Sequence, residues 1–367
     1  MDKQILIVLV TYNSENFVEK CLFSIANQNY RNYFLIVVDN NSNDNTVEII
    51  KAYKNAEVRF SPQNFEFVKL NKNIGFARAV NYAVFNCLLK NERKKANFDY
   101  ILFLNPDTLL DANCIVNLIK IFDADLYLVP KYSKGSKVNK EINNPDRIDS
   151  KATLGKFSIG AEGGLILDYN SNEIQNMGGK ILDNFVTLHE TKPERIDINK
   201  ILNNDEDYCN NFSNILYPEY ITGAFFMTHF NLFINLRGFD EGYRPAYFEE
   251  LDYCIKLKRL GLKIALNPCA FVRHYEGASS YKFSRNFYYF YHKNRIRCAI
   301  INTSFVYLCK IFFYHEPIWL KANFTKDQLI PLIKAYLINL VFFGFNYFIK
   351  LKNYICLKRV SRIYKFV

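Results

Sequence analysis

The chain has 367 residues, half of them apolar and 16% aromatic, which is enough for one large α/β core plus an appended module and excludes wholesale disorder. Forty-seven Lys and Arg against 36 Asp and Glu give a formal charge of +11, a sign that suits nucleic acid, anionic lipid or a phosphorylated substrate. Nine cysteines are scattered without a CxxC pair, several inside apolar runs, and read as reduced core residues of a cytosolic protein. The chain enters an apolar run at once without a signal-peptide pattern, and no stretch of 18 apolar residues offers a membrane span.

Residues 4–10 (QILIVLV) form a continuous apolar run ending at Thr11-Tyr12-Asn13-Ser14, the pattern of a buried strand followed by a helix cap. A helix follows to about Gln28. The run 34–38 ends at Asp39-Asn40-Asn41-Ser42, and a second helix begins near Asp44. A short strand at 57–60, a helix at about 74–90 and a strand at 100–104 complete a βαβαβαβ series. Such alternation argues for a parallel sheet that binds ligands at the carboxyl ends of its strands, where Thr11, Asp39 and Asp107 all sit. Residues 131–158 are polar, basic and rich in Asn and Ser, and read as an excursion. From about 283 the chain turns aromatic and basic, with 296–314 and 328–350 helical in pattern.

Several residues stand in places that carry chemistry. Asp39 follows a buried strand, where an acid can accept hydrogen bonds from a base or ribose; the alternative is a turn residue in an Asn/Ser-rich loop. Asn73-Ile74-Gly75-Phe76-Ala77-Arg78 opens a helix, and Gly75 could let the backbone approach a phosphate. The other reading is a helix start packed on the sheet. In Asn105-Pro106-Asp107 the proline ends the strand, so Asp107 projects from the sheet edge, where a carboxylate can hold Mg²⁺ or Mn²⁺ on a diphosphate. On the wheel of a helix starting near Glu249, Glu250 falls in the apolar sector with Leu251, Cys254, Ile255 and Leu257, so it faces a cleft and burial raises its pKa toward that of a general base. Glu249 and Asp252 are the runners-up. Asp252 lies opposite, with Lys256 four residues on, and reads as a solvated helix charge. His274 ends a strand before a Gly/Ser loop, the setting of a metal ligand.

These segments resemble glycosyltransferase family 2, particularly a rhamnosyltransferase-like bacterial branch. The matching stretches are VLVTYNS (8–14), VVDNNSNDNT (37–46), NIGFARAVN (73–81), FLNPDT (103–108), ITGAFFM (221–227), GFDEGY (238–243), YFEELDYCIKLKRLG (247–261) and VRHYEGASS (272–280), in family order. The resemblance implies an α/β fold of the GT-A type: a Rossmann-like, mostly parallel sheet flanked by helices, over residues 1–282. A helical, aromatic and basic extension, 283–367, follows it. It further implies inverting, metal-dependent transfer from a nucleotide sugar, dTDP- or UDP-linked, to a hydroxyl of a glycan or lipid-linked oligosaccharide in surface polysaccharide synthesis.

Carried over residue by residue, Thr11, Asn13, Asp39, Asn73, Gly75, Arg78, Asn105 and Asp107 line the nucleotide sugar. Asp107 and His274 hold Mn²⁺ or Mg²⁺, and Glu250 takes the base position where the family usually has Asp. The QxxRW motif of processive members is missing, which implies a single addition per acceptor. Two other classes stay open: a nucleotidyltransferase, and a non-catalytic lipid- or nucleic-acid-binding protein. The resemblance itself expects no nucleic acid. The expected location is the cytoplasm, peripheral on an anionic inner membrane surface through the basic and aromatic C-terminus.

Overall fold

In a computed structural model, which describes residues 3–55, 64–90, 98–128, 158–192, 196–275 and 284–364, the apolar runs become strands and the amphipathic intervals become helices. The first half runs β1 (Ile5–Thr11), α1 (Val18–Ala26), β2 (Tyr33–Asp39), α2 (Thr46–Asn55), β3 (Phe65–Lys69), α3 (Phe76–Asn81) and β4 (Tyr100–Leu104). Then come β5 (Thr108–Leu110), α4 (Cys114–Leu128), β6 (Ile159–Asp168), β7 (Ile174–Asn176) and a hairpin of β8 (Gly179–Ile181) and β9 (Thr187–His189). Short α5 (Ile198–Leu202) and α6 (Glu206–Cys209) lead to β10 (Phe225–His229), α7 (Phe230–Asn235), α8 (Glu249–Arg259) and β11 (Lys263–His274).

The sheet order is β3-β2-β1-β4-β10-β6-β11-β5, with β7 on β6. Its first four strands are parallel, and β10 runs antiparallel between β4 and β6. Alternate residues of one strand feed opposite layers: Leu6, Val8 and Val10 join one core, and Ile5, Ile7 and Leu9 the other. Burial on both faces is why the parallel strands read as unbroken apolar runs. The described strand after α2 is β3 at 65–69, and the expected strand at 57–60 lies outside the described residues. All of the excursion at 131–158 except Ser158 lies outside them too.

Two expectations are corrected. Cys209 and Cys269 form a disulfide across 60 residues of sequence, so the cysteines are not uniformly reduced. No local spacing announces a pair that only the packing of α6 against β11 brings together. The helical pattern of 296–314 is also broken. α9 (Arg285–Asn302) stops before Ser304, whose Oγ accepts from Tyr307 N at 3.1 Å and starts α10 (Phe305–Lys310). After α11 (Glu316–Asn323), the pattern at 328–350 divides into α12 (Leu329–Val341) and α13 (Phe343–Tyr364), bent by 68°.

These helices are tied to the sheet domain by buried charge. Arg295 donates to both carboxylate oxygens of Glu316 at 2.5 and 2.7 Å, and Asn184 and Tyr336 donate to the same carboxylate. Arg297 is bidentate on Asp240 at 2.7 and 2.9 Å and also donates to Asn346. The second half of α9, from Ile296 to Ile301, joins the core beneath α8.

Candidate active site

Thr11 and Asp39 are register partners at the carboxyl ends of β1 and β2, and Thr11 Oγ1 donates to Asp39 Oδ1 at 3.1 Å. Asp39 is fully buried, and Ser42 donates to it through both its amide and its hydroxyl. Asn13, at φ 48°, donates its amide to Ser42 Oγ at 2.9 Å and accepts from Asn43 N. Asn40 bridges to the next loop, donating to Asn73 Oδ1 at 3.0 Å and accepting from Ile74 N. Three strand-end loops are thereby fixed against one another at one edge of the sheet.

Gly75 has φ 85°, and a Cβ there would lie 2.8 Å from the carbonyl oxygen of Pro245. The close approach this glycine allows is occupied by protein backbone, since Phe76 N donates to that same oxygen at 2.8 Å. Arg78 pairs with Glu241 at 3.3 Å, a half-exposed contact of small energetic weight.

Asp107 and His274 are 167 positions apart in sequence, yet β5 pairs antiparallel with β11 so that His274 faces Thr108. His274 Nε2 stands 3.4 Å from Asp107 Oδ1, a buried oxygen that accepts no hydrogen bond among the described residues. His274 Nδ1 donates to Gln175 Oε1 at 2.7 Å, which fixes the ring with Nε2 toward Asp107. Among the described residues no group of three His, Cys, Asp or Glu is placed to hold a metal. One carboxylate oxygen and one imidazole nitrogen nonetheless fit Mn²⁺ or Mg²⁺ if diphosphate and water oxygens complete the shell, as is usual for such ions on phosphates.

Asn105 N donates to Ala224 O at 3.1 Å, which sets the segment 221–224 beside the Asn105–Asp107 turn. The side chain of Glu250 packs against the same segment, within 4 Å of where a Cβ on Gly223 would lie. Residues 223 and 224 thus link the Glu250 side chain to the Asn105–Asp107 turn. Burial pushes the Glu250 carboxyl above the usual range, against the opposing hydrogen bonds of its own amide and that of Gly223. Glu249 is more deeply buried; burial and then the charge of Glu250 push it well up, and its Oε2 accepts no hydrogen bond among the described residues.

Asp252 corrects the sequence reading. It is fully buried, with Lys256 at 2.7 Å and Asn302 donating at 2.6 Å, because α9 covers the face that appeared open to water.

The backbone entering α8 is unusual. Tyr247 and Phe248 have φ of 81° and 78°, a region that costs a bulky residue energy. Asn294 of α9, fully buried, donates to the carbonyls of Ala246 at 2.8 Å and Tyr247 at 3.0 Å. Sequence reasoning missed Gln175, Asn40, Ser42 and Asn294. Asn40 and Ser42 lay within the polar run after β2, whereas nothing local marks Gln175 or Asn294.

Residues 6–184 match the family described as Glycosyl transferase family 2. A poly-beta-1,6-N-acetyl-D-glucosamine synthase of Staphylococcus epidermidis is 28% identical over 150 residues, 41% of this chain and 30% of that protein. The chain thus matches under a third of this relative's length. GalNAc-T7, solved with UDP, GalNAc and Mn²⁺, superposes with a TM-score of 0.54 at 13% identity, covering 92% of this chain and 57% of that one. S. aureus TarS 1-349 in complex with UDP-GlcNAc gives 0.50 at 15% identity, covering 98% and 91%. Both likenesses speak to the fold.

Proposed function

Because the chain belongs to glycosyltransferase family 2, we propose that it moves a sugar from a UDP- or dTDP-linked donor to a hydroxyl of a surface glycan, free or lipid-linked, with inversion at the anomeric carbon. The observation that carries this reading is the Asp107–His274 pair at the end of the central strands, with the buried Glu250 joined to the Asp107 turn through residues 223 and 224. The named activity of the staphylococcal synthase supports a sugar-transferring role in surface polysaccharide synthesis.

Asp39, held by Thr11 and Ser42, offers its carboxylate toward the nucleoside end of the donor. Asn13, Asn73, Gly75 and Arg78 border it. Asp107 and His274 are the residues that would hold Mn²⁺ or Mg²⁺, which supplies positive charge for the departing diphosphate. Glu250 takes the proton of the acceptor hydroxyl as that oxygen attacks from the face opposite the nucleotide. Its raised pKa makes it a stronger base than an exposed carboxylate. No covalent sugar–enzyme bond is required. The missing QxxRW motif supports a single addition per acceptor, and the lone Trp319 packs with its ring 5.6 Å from the Arg295 guanidinium.

The test is release of nucleoside diphosphate from UDP-, dTDP- and GDP-sugars by the full chain, with Mn²⁺ and with chelator. Metal-dependent release from a UDP- or dTDP-sugar is expected, and Asp107→Ala should weaken nucleoside-diphosphate binding only when metal is present. Undiminished turnover in chelator would remove the metal role. Release of sugar 1-phosphate instead would point to nucleotidyl transfer.

A further inference from the structure

Helix α12 is apolar apart from Lys334, Tyr336 and Asn339, yet only one side is covered. Pro331, Ala335 and Asn339, at i, i+4 and i+8, are buried, with Asn339 donating to the Lys293 carbonyl of α9. On the opposite side Ile330, Ile333, Leu337 and Val341, at i, i+3, i+7 and i+11, are exposed, Val341 by 76%. The exposed stripe continues past the bend through Phe342 and Phe345 into Phe348, Leu351 and Ile355 of α13. A helix with apolar residues on two sides is stable only when a second apolar phase covers its open side.

The charge around this face says what that phase is. Residues 305–364 carry nine Lys and Arg but only two acids, Glu316 and Asp327, and Glu316 is buried against Arg295. Lys350, Lys352 and Lys358 hold their ammonium groups 5.1, 4.7 and 4.5 Å from the ring centroids of Tyr347, Phe348 and Tyr354, and Lys350 also donates to the Thr303 carbonyl. Between Lys334 and Lys350 lie fifteen uncharged residues. At about 1.5 Å per residue they reach roughly 22 Å even if straight, short of the ~30 Å hydrocarbon core. No single described helix is long and apolar enough to cross a membrane; the α12–α13 pair together meets that length and composition but is bent by 68°, which shortens the uncharged stretch further. A bent apolar elbow ringed by cations fits the interface of an anionic bilayer.

We propose that the α12–α13 elbow is a membrane-docking surface that seats in one leaflet of anionic phospholipid without crossing it. The proposal rests on this surface alone and is independent of the transfer chemistry.

The experiment is co-sedimentation of the full chain with vesicles of phosphatidylcholine alone, or with added phosphatidylglycerol, at low and high salt. Binding at least about tenfold stronger to the anionic vesicles, weakening with salt, is expected. A double variant, Leu340→Glu with Val341→Glu, should lose at least about tenfold, since both side chains would leave the acyl region. Lys352→Glu with Lys358→Glu should lose the preference for anionic lipid. All four positions are exposed, so unchanged thermal melting of the variants separates lost docking from lost folding. Equal binding to both vesicle types, or retained binding by the Leu340/Val341 variant, overturns the proposal. A dimer in light scattering that the same variant dissociates would assign the face to a second copy and overturn it as well.

Discussion

Asn294→Ala tests whether the approach to α8 is held in place from outside the site. Tyr247 and Phe248 adopt left-handed backbone at a cost of about 1–3 kcal/mol each. Asn294 donates two hydrogen bonds to this stretch, worth about 0.5–1.5 kcal/mol apiece, so the pair is of the size needed to offset one strained residue. Removing them should lower stability by about 1–3 kcal/mol in urea unfolding. It should also let the segment relax and carry Glu250, two residues beyond Phe248, away from the acceptor. A displacement near 1 Å costs on the order of 10²-fold in rate, so kcat should fall about 10- to 100-fold. Asn294 touches none of the residues assigned to the donor, so donor KM should stay within about threefold. A variant that is less stable yet keeps wild-type kcat would refute the positioning role and leave Asn294 purely structural.

Glu250→Gln keeps the side-chain shape against Gly223 and should lower turnover by about 10²–10⁴-fold with little change in donor binding; wild-type turnover would remove Glu250 as base. The acid limb of the wild-type pH–rate profile should lie above 4.5, because burial raises this carboxyl. Glu249 also has a folded pKa raised above 4.5, so the stability it permits is complete below that pH and is lost as pH rises through the folded value. Glu249→Gln should therefore match wild type in urea at pH 4 and exceed it at pH 8, and a variant no more stable at pH 8 would contradict the burial argument. For Glu316, burial raises the carboxyl, but the hydrogen bonds and charge of Arg295 outweigh it and hold the pKa below 4.5. Its contribution is present above 4.5 and lost as pH falls through the folded value. Glu316→Ala should cost about 3–5 kcal/mol at pH 7 by stranding a buried guanidinium, with a smaller difference in acid.

The carboxyl edge was legible in the sequence because physical chemistry writes it locally. A strand buried on both faces must be apolar, and it ends where the backbone leaves the sheet, so Thr11, Asp39 and Asp107 appear where apolar runs stop. Their partners were not legible in this way. The approach of His274 to Asp107 depends on the β5–β11 register, and Gln175 reaches His274 from a three-residue strand with no periodicity of its own. The family resemblance supplied His274, but it said nothing of what orients the ring. Asp252 shows the limit of a helical wheel: the wheel sorts the faces of α8, while the occupant of the second face, α9, lies some 50 residues further along. Gly75 shows another limit, since a glycine reports a close approach without reporting what approaches.

α9 also decides how docking and chemistry can be separated by experiment. Its middle holds the loop before Glu250 through Lys293 and Asn294, and the same stretch holds the docking elbow, with Asn339 on the Lys293 carbonyl and Asn346 accepting from Arg297. Cutting the chain near residue 315 would remove Glu316, Asn339 and Asn346 together, leaving two buried guanidinium groups with fewer partners and the Glu250 loop with a weakened support. Such a truncation would lose vesicle binding and turnover at once, whatever the cause. Exposed substitutions such as Leu340→Glu touch none of these bonds, so they can abolish docking while release of nucleoside diphosphate in solution is unchanged. If that variant lost both, the elbow would have to support the site itself, and its apolar face would be part of the scaffold rather than a surface for lipid.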